Sequence, residues 1–295
     1  MTETPGFLEY VEPDPARIAE RLEASARRWE LQPGEALAGG FRSHVFATTR
    51  RDGTEVVVKL VVTPSAGEAE VAALSAWSGS GAAVTLIDAD GDNQALLLER
   101  VQPGTPLPPG DETVAVAVAT ELLAGLHRGQ SSFGFPTLEE TYPAWEARAR
   151  ADCAYERQYR AEPSRGEAGL SRLGSARELA FSLSGSVPAP VLLHGDFCDK
   201  NLLWAGSCYL AIDPIPSIGD PCSDIGFFSA GHPSASGILA RAAAIARRMG
   251  HDSDRAQRWA AIWTVMQATQ AWRPDQAELD ELTSSVTFGD LLDAT

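Results

Sequence analysis

Lysine is almost absent from this chain: among 24 basic residues only Lys59 and Lys200 are lysines, and arginine supplies the rest. GC-rich coding is enough to explain the bias, so the informative point is where the two lysines sit. Positive charge as a whole is short, since 40 acidic residues leave a formal net charge of −16. A phosphate backbone needs a basic footprint, which argues against nucleic acid as a partner. The same acidity suits either plain solubility or a cationic small-molecule partner. Cysteine is scarce too. Cys153, Cys198, Cys208 and Cys222 form no C-x-x-C pair and are too few to staple 295 residues, so free thiols are expected. Five histidines without an H-E-x-x-H arrangement give no zinc signature and leave oxygen as the expected ligand of any metal. No apolar run is long enough to span a bilayer, because Lys59 interrupts the best candidate at 56–62. Residues 1–12 lack the basic start and apolar stretch of a secretory signal, so a cytoplasmic protein without membrane contact is expected.

What is present is a 44% hydrophobic composition, enough for one large domain or two modest lobes. Asp14-Pro15 reads as a helix start, followed by Ile18, Leu22, Ala26 and Trp29 near helical spacing, with the helix ending before Pro33. Residues 43–48 and 55–62 read as paired strands around Asp52-Gly53. A helix over 67–77 and a second hairpin, 83–88 with 94–101, follow. The Pro/Gly-rich stretch from Pro103 to Gly110 breaks the pattern, and helices dominate beyond it, at 111–128, 142–160, 175–181, 238–249 and 254–272. One strand-rich island, 191–213, interrupts them and holds most of the polar chemistry. A lobe boundary is therefore placed between 1–101 and 102–295.

Within the island, His194-Gly195-Asp196 precedes Asn201, and Asp196 and Asn201 are five positions apart. That is the offset of the aspartate and asparagine in a kinase catalytic loop, where one orients the attacking hydroxyl and the other binds Mg²⁺. Asp213 ends the apolar strand Tyr209-Leu210-Ala211-Ile212 and suits a second magnesium ligand. Alone, such an aspartate is a turn or cap residue; with Asp196 and Asn201 in order, the metal role is preferred. Asp220 and Asp224 read as loop-bracing or N-capping carboxylates and stay outside the catalytic set. Lys59 lies inside Val56-Val57-Val58-Lys59-Leu60-Val61, where a buried cation must meet anions or face water at an edge. In the anion-paired reading, preferred beside the downstream island, Glu70 on the next helix can supply one anion and ATP phosphates the others, as in the strand-lysine and helix-glutamate pair of kinases. Gly39-Gly40 before the first hairpin is either a turn or a phosphate-covering loop whose donors near Gly40 and Ser43 approach a nucleotide, although it lacks G-x-G-x-x-G. The stretch Leu98-Glu99-Arg100-Val101 is a core strand whose backbone at Glu99 and Val101 can also bind an adenine edge.

These residues together resemble the aminoglycoside phosphotransferase family, in the branch of streptomycin 6-phosphotransferases and hydroxyurea-resistance kinases. The likeness runs from about Gly39 to Trp272. It is carried by Val58-Lys59-Leu60, Glu70, Trp77-Ser78-Gly79, Leu98-Glu99-Arg100, His194-Gly195-Asp196 with Asn201, Ile212-Asp213-Pro214 and Gly219-Asp220-Pro221. The resemblance implies an α+β, protein-kinase-like bilobal fold, with an antiparallel sheet and helix in the small lobe and a larger helical lobe. It also implies ATP and Mg²⁺ in the cleft, Asp196 as catalytic base, and Asn201 and Asp213 as metal ligands. The expected activity is O-phosphorylation of a cationic aminoglycoside. Alternatives are a kinase for another small alcohol and a silent nucleotide-binding regulator. Phe197-Cys198-Asp199-Lys200 departs from the usual loop, and Lys200 is expected to face solvent, with a phosphate-stabilising role as the other reading.

Overall fold

Alternation along one strand organises the small lobe. In β3 (Glu55–Val61), Val56, Val58 and Leu60 point to one face and Val57, Lys59 and Val61 to the other. A computed structural model describes residues 14–37, 43–128, 134–159, 167–268 and 286–293. In it the first face packs with Leu31, Ala95 and Leu97 beneath Ile18, Leu22, Ala26 and Trp29 of α1 (Pro15–Trp29). Asp14 caps that helix, accepting from the Ala16 N–H, and Pro15 fills its first position as the sequence indicates.

The sheet runs β1 (Leu31–Leu37), β2 (Ser43–Arg50), β3, β5 (Ala95–Glu99) and β4 (Leu86–Asp90), antiparallel throughout. The Asp52-Gly53 turn sets the β2–β3 register, which places Val45 opposite Lys59. Strand β1 is unexpected from sequence because it contains Pro33 and Gly34. It is an edge strand, where the missing N–H of proline costs no ladder bond, and it carries a bulge between Pro33 and Ala36. Helix α2 (Pro64–Ala76) crosses the second face of the sheet and carries Glu70.

Beyond Gly104 and the short β6 (Thr105–Pro106), α3 (Glu112–Leu126), α4 (Leu138–Tyr159) and α5 (Glu167–Gly185) begin the helical part. The island expected from sequence holds β7 (Val191–Leu193), β8 (Leu202–Trp204) and β9 (Tyr209–Ala211). Its polar loop ends in a one-turn 3₁₀ helix at Asp199–Asn201. Strand β10 (Ser217–Gly219) pairs back on β7, and α6 (Pro221–Ser229), α7 (Ala235–Met249), α8 (Ser253–Ala268) and α9 (Val286–Asp293) complete the lobe. Trp77, Trp259, Trp263, Phe197 and Phe228 are buried in one continuous core. Ala211 exchanges backbone bonds with Ala82 and Val84, which ties the large lobe to the segment before β4. Among the described residues no helix is long and apolar enough to cross a membrane.

Candidate active site

Lys59 reaches the site because the β3 pleat turns it away from α1 and toward α2. Its Nζ lies 2.6 Å from each oxygen of Glu70 and 2.7 Å from Asp213 Oδ1. Burial alone would pull the ammonium's pKa down, but Asp213 and Glu70 together outweigh it and leave the lysine above its ordinary value. A lysine that would be costly in an apolar strand is therefore a permanent cation held between a helix of the small lobe and a loop of the large one. Ser43 lines the same cavity as Lys59, Glu70 and Asp213, with Pro136 and Ile215 on the large-lobe side.

Asp196 and Asn201 form the second cluster. The Asn201 Nδ2 donates to the Asp196 carbonyl at 2.8 Å and to Asp196 Oδ2 at 3.0 Å. That commitment fixes the amide and turns its oxygen into the available acceptor, suited to a hard cation. The Cys198 thiol lies 3.7 Å from Asp196 Oδ1, and burial followed by the Asp196 charge pushes its pKa well up, so it remains a protonated neighbour of the carboxylate.

Neutral His194 joins the two clusters. The Asp196 N–H donates to His194 Nδ1 at 3.3 Å, so the proton sits on Nε2, which donates to the Ile212 carbonyl at 3.1 Å. One imidazole thus links the backbone of Asp196 to the residue before Asp213. Ile212 N–H to the Asn201 carbonyl at 2.9 Å makes a second link, and Ile215 N–H to the His194 carbonyl at 2.8 Å a third. Gly195 allows this approach: its φ is +76°, and a Cβ there would lie 1.9 Å from the Ile215 carbonyl oxygen. Asp213 itself adopts φ +59°, an uncommon conformation for a residue other than glycine.

Sequence reasoning placed Asp224 and Asp220 as braces, and their contacts are of that kind. Asp224 accepts the N–H groups of His194 and Gly195 at 2.8 and 2.9 Å and pairs with His127 Nε2 at 2.9 Å. Burial raises its pKa, yet the His127 contact and the backbone donors prevail and hold it below the usual carboxylate range. Asp220 caps α6 through the Cys222 N–H. His194 and His127 were missed as positioning groups; the former stands beside the motif, whereas nothing near His127 in sequence signals its partner 97 positions away. The backbone of Glu99 pairs with Val56 in β5, while its carboxylate accepts the Thr85 N–H at 2.7 Å; Val101 is half-buried just beyond. Gly40 lies outside the described residues.

Burial pushes His194 below its ordinary pKa, and His44 and His251 shift the same way at half-buried positions. The unfolded chain therefore binds more protons than the folded one below about pH 6.5. Stability is expected to fall from there by up to about 1.4 kcal/mol per pH unit for the buried His194, with smaller contributions from the more exposed His44 and His251, which solvent screens. Asp224, depressed in the fold, adds its own loss only at lower pH, as its carboxylate protonates. Thermal melts between pH 7 and 5 check this, with a shallower slope in His194→Asn; a flat profile would refute it.

Residues 28–275 match the family described as aminoglycoside/hydroxyurea antibiotic resistance kinase. A hydroxyurea phosphotransferase of Kitasatospora aureofaciens is 35% identical over 218 residues, covering 72% of this chain and 60% of the relative. A streptomycin 6-kinase of Streptomyces griseus is 32% identical over 202 residues, covering 67% and 62%. The match thus spans about three fifths of the curated relatives' own length. Among solved structures, a choline/ethanolamine kinase family protein from Mesorhizobium loti superposes with a TM-score of 0.61 at 15% identity, covering 93% of this chain and 98% of that one. The streptomycin–ATP–APH(2")-IIa ternary complex superposes with a TM-score of 0.56 at 13% identity, covering 94% and 97%. These likenesses show the protein-kinase-like α+β fold. With the family match extending over most of its length, the chain belongs to the aminoglycoside/hydroxyurea antibiotic resistance kinases.

Proposed function

We propose that this protein is an ATP-dependent O-phosphotransferase that moves the γ-phosphoryl group of ATP to a hydroxyl of a cationic aminoglycoside of the streptomycin type, and so confers antibiotic resistance in the cytoplasm. The observation that carries the reading is the Lys59–Glu70–Asp213 cluster, joined through His194 to the Asp196–Asn201 pair. Lobes of 1–101 and 102–295 would hold the nucleotide between them. Lys59 would bind phosphate oxygens, Ser43 and Gly40 would offer backbone donors, and the backbone of Glu99 and Val101 would meet the adenine edge. Asp196 would orient the acceptor hydroxyl and take its proton.

The oxygen donors fit magnesium. Among the described residues no group of three His, Cys, Asp or Glu side chains could hold a metal. One carboxylate from Asp213 and one amide oxygen from Asn201 is the small protein share that Mg²⁺ takes when phosphates and waters fill its remaining positions. When bound, the ion would neutralise charge on the phosphates.

The relatives named as streptomycin 6-kinases support the acceptor class, and the chain's acidity suits a substrate with positive groups. ATP consumption with a panel of streptomycin, other aminoglycosides and hydroxyurea tests it. Streptomycin is expected to raise consumption at least about tenfold over the acceptor-free rate, as an oriented hydroxyl replaces water. Hydrolysis unaffected by every compound would turn the reading toward a kinase for a different alcohol.

A further inference from the structure

Both lysines of this chain sit on carboxylates of the candidate site: Lys59 on Glu70 and Asp213, and Lys200 on Asp196. The Lys200 Nζ is 3.6 Å from Asp196 Oδ2, and its side chain is 61% exposed. It therefore faces solvent, as expected from sequence, and stands at the carboxylate of the proposed base as well. Two features argue against a mere brace. Asn201 already holds the same oxygen at 3.0 Å, whereas 3.6 Å is too long for a strong hydrogen bond. The one-turn helix that presents Lys200 rests its backbone firmly, through Asn201 N–H to the Cys198 carbonyl at 2.8 Å, while the four-carbon stem projects into solvent.

Charge supplies the reason for a solvent-facing cation at this place. Lys59 is neutralised by two carboxylates, and Asp196 brings a further negative charge toward a phosphoryl group that is itself negative. We propose that Lys200 is a catalytic residue that contacts the non-bridging oxygens of the phosphoryl group during transfer. The assignment rests on the phosphotransferase reading. In the step, the acceptor oxygen bonds to Pγ and its proton passes to Asp196. The bond from Pγ to the β,γ-bridging oxygen breaks, and ADP leaves with that electron pair. Protonation of Asp196 weakens its hold on Lys200 as charge spreads over the equatorial oxygens, so the ammonium shifts from carboxylate to phosphoryl.

The test compares wild type, Lys200→Ala and Lys200→Arg in turnover with MgATP and streptomycin, and in calorimetric binding of ADP with and without aluminium fluoride. Lys200→Ala should lose roughly tenfold to a hundredfold in kcat with KM for ATP little changed, and Lys200→Arg should recover most of it. Wild type should bind ADP–aluminium fluoride more tightly than ADP, and Lys200→Ala should lose that preference while ADP affinity stays the same. A role confined to holding Asp196 would lower turnover and leave the preference intact, and this result overturns the assignment. So does unchanged kcat in an active wild-type background. If wild type binds no ATP, the phosphotransferase reading fails first and Lys200 falls with it.

Discussion

Asp196→Asn is expected to lower phosphoryl transfer by about 10³-fold while ATP affinity stays within about twofold. The asparagine keeps the side chain's size and can still accept from Asn201 Nδ2, now through its amide oxygen, so the loop should remain in place. What is lost is the group that takes the hydroxyl proton and the negative charge that orients it. The loss should therefore appear in kcat and in kcat/KM equally, the signature of an interaction used in the transition state. Stopped-flow or steady-state assays with streptomycin, beside calorimetric ATP titration, separate the two terms. Turnover within a fewfold of wild type would remove Asp196 from the chemistry. A parallel collapse of ATP binding would instead show that the substitution disturbs Asn201 or the His194 link.

The parts of this site that could be read from sequence are those where chemistry depends on short spacing. Asp196 and Asn201 share one loop, and Asp213 ends the next strand, so local order already places them together. Lys59 was legible because a charge inside an apolar strand demands a partner, and Glu70 was the nearest carboxylate on the following helix. The contact between Lys59 and Asp213 spans 154 positions and depends on how two lobes meet, which no local pattern encodes. Helix α6 escaped notice for a different reason. All nine of its residues are buried, so it lacks the polar face that makes a helical period visible. Its start is in view as Asp220-Pro221, an N-cap followed by proline at the first position, and the N-capping reading of Asp220 holds, but no helical period after it marks the span. Helix α5 extends well beyond 175–181, and α9 was not anticipated at all. Strand β1 failed the usual test because proline and glycine mark breaks in isolation but are tolerated at a bulged edge.

Asp220→Ala should destabilise the protein by about 3–5 kcal/mol, a larger cost than any surface change would bring. The carboxylate is buried and accepts from Cys222 N–H at 3.0 Å, Arg255 Nε at 2.5 Å and Trp259 Nε1 at 2.6 Å. Removing it takes the cap from α6 and leaves an indole N–H and a largely buried guanidinium without their acceptor, while Arg255 keeps contacts to Ser186 Oγ and the Leu183 carbonyl. For a chain of this size the loss corresponds to a fall in Tm of roughly 5–8 °C. Asp220→Asn should fall by less, because its oxygen can keep one donor while its amide opposes the others. Helix α6 links this carboxylate to the site: the same helix carries Asp224, which holds the His194 and Gly195 N–H groups in front of Asp196. Loosening the cap should therefore reduce the folded fraction before it alters chemistry, and turnover per folded molecule at low temperature should stay near wild type. If Asp220→Ala melts like wild type but loses turnover, the carboxylate belongs to the reaction and the bracing role is wrong.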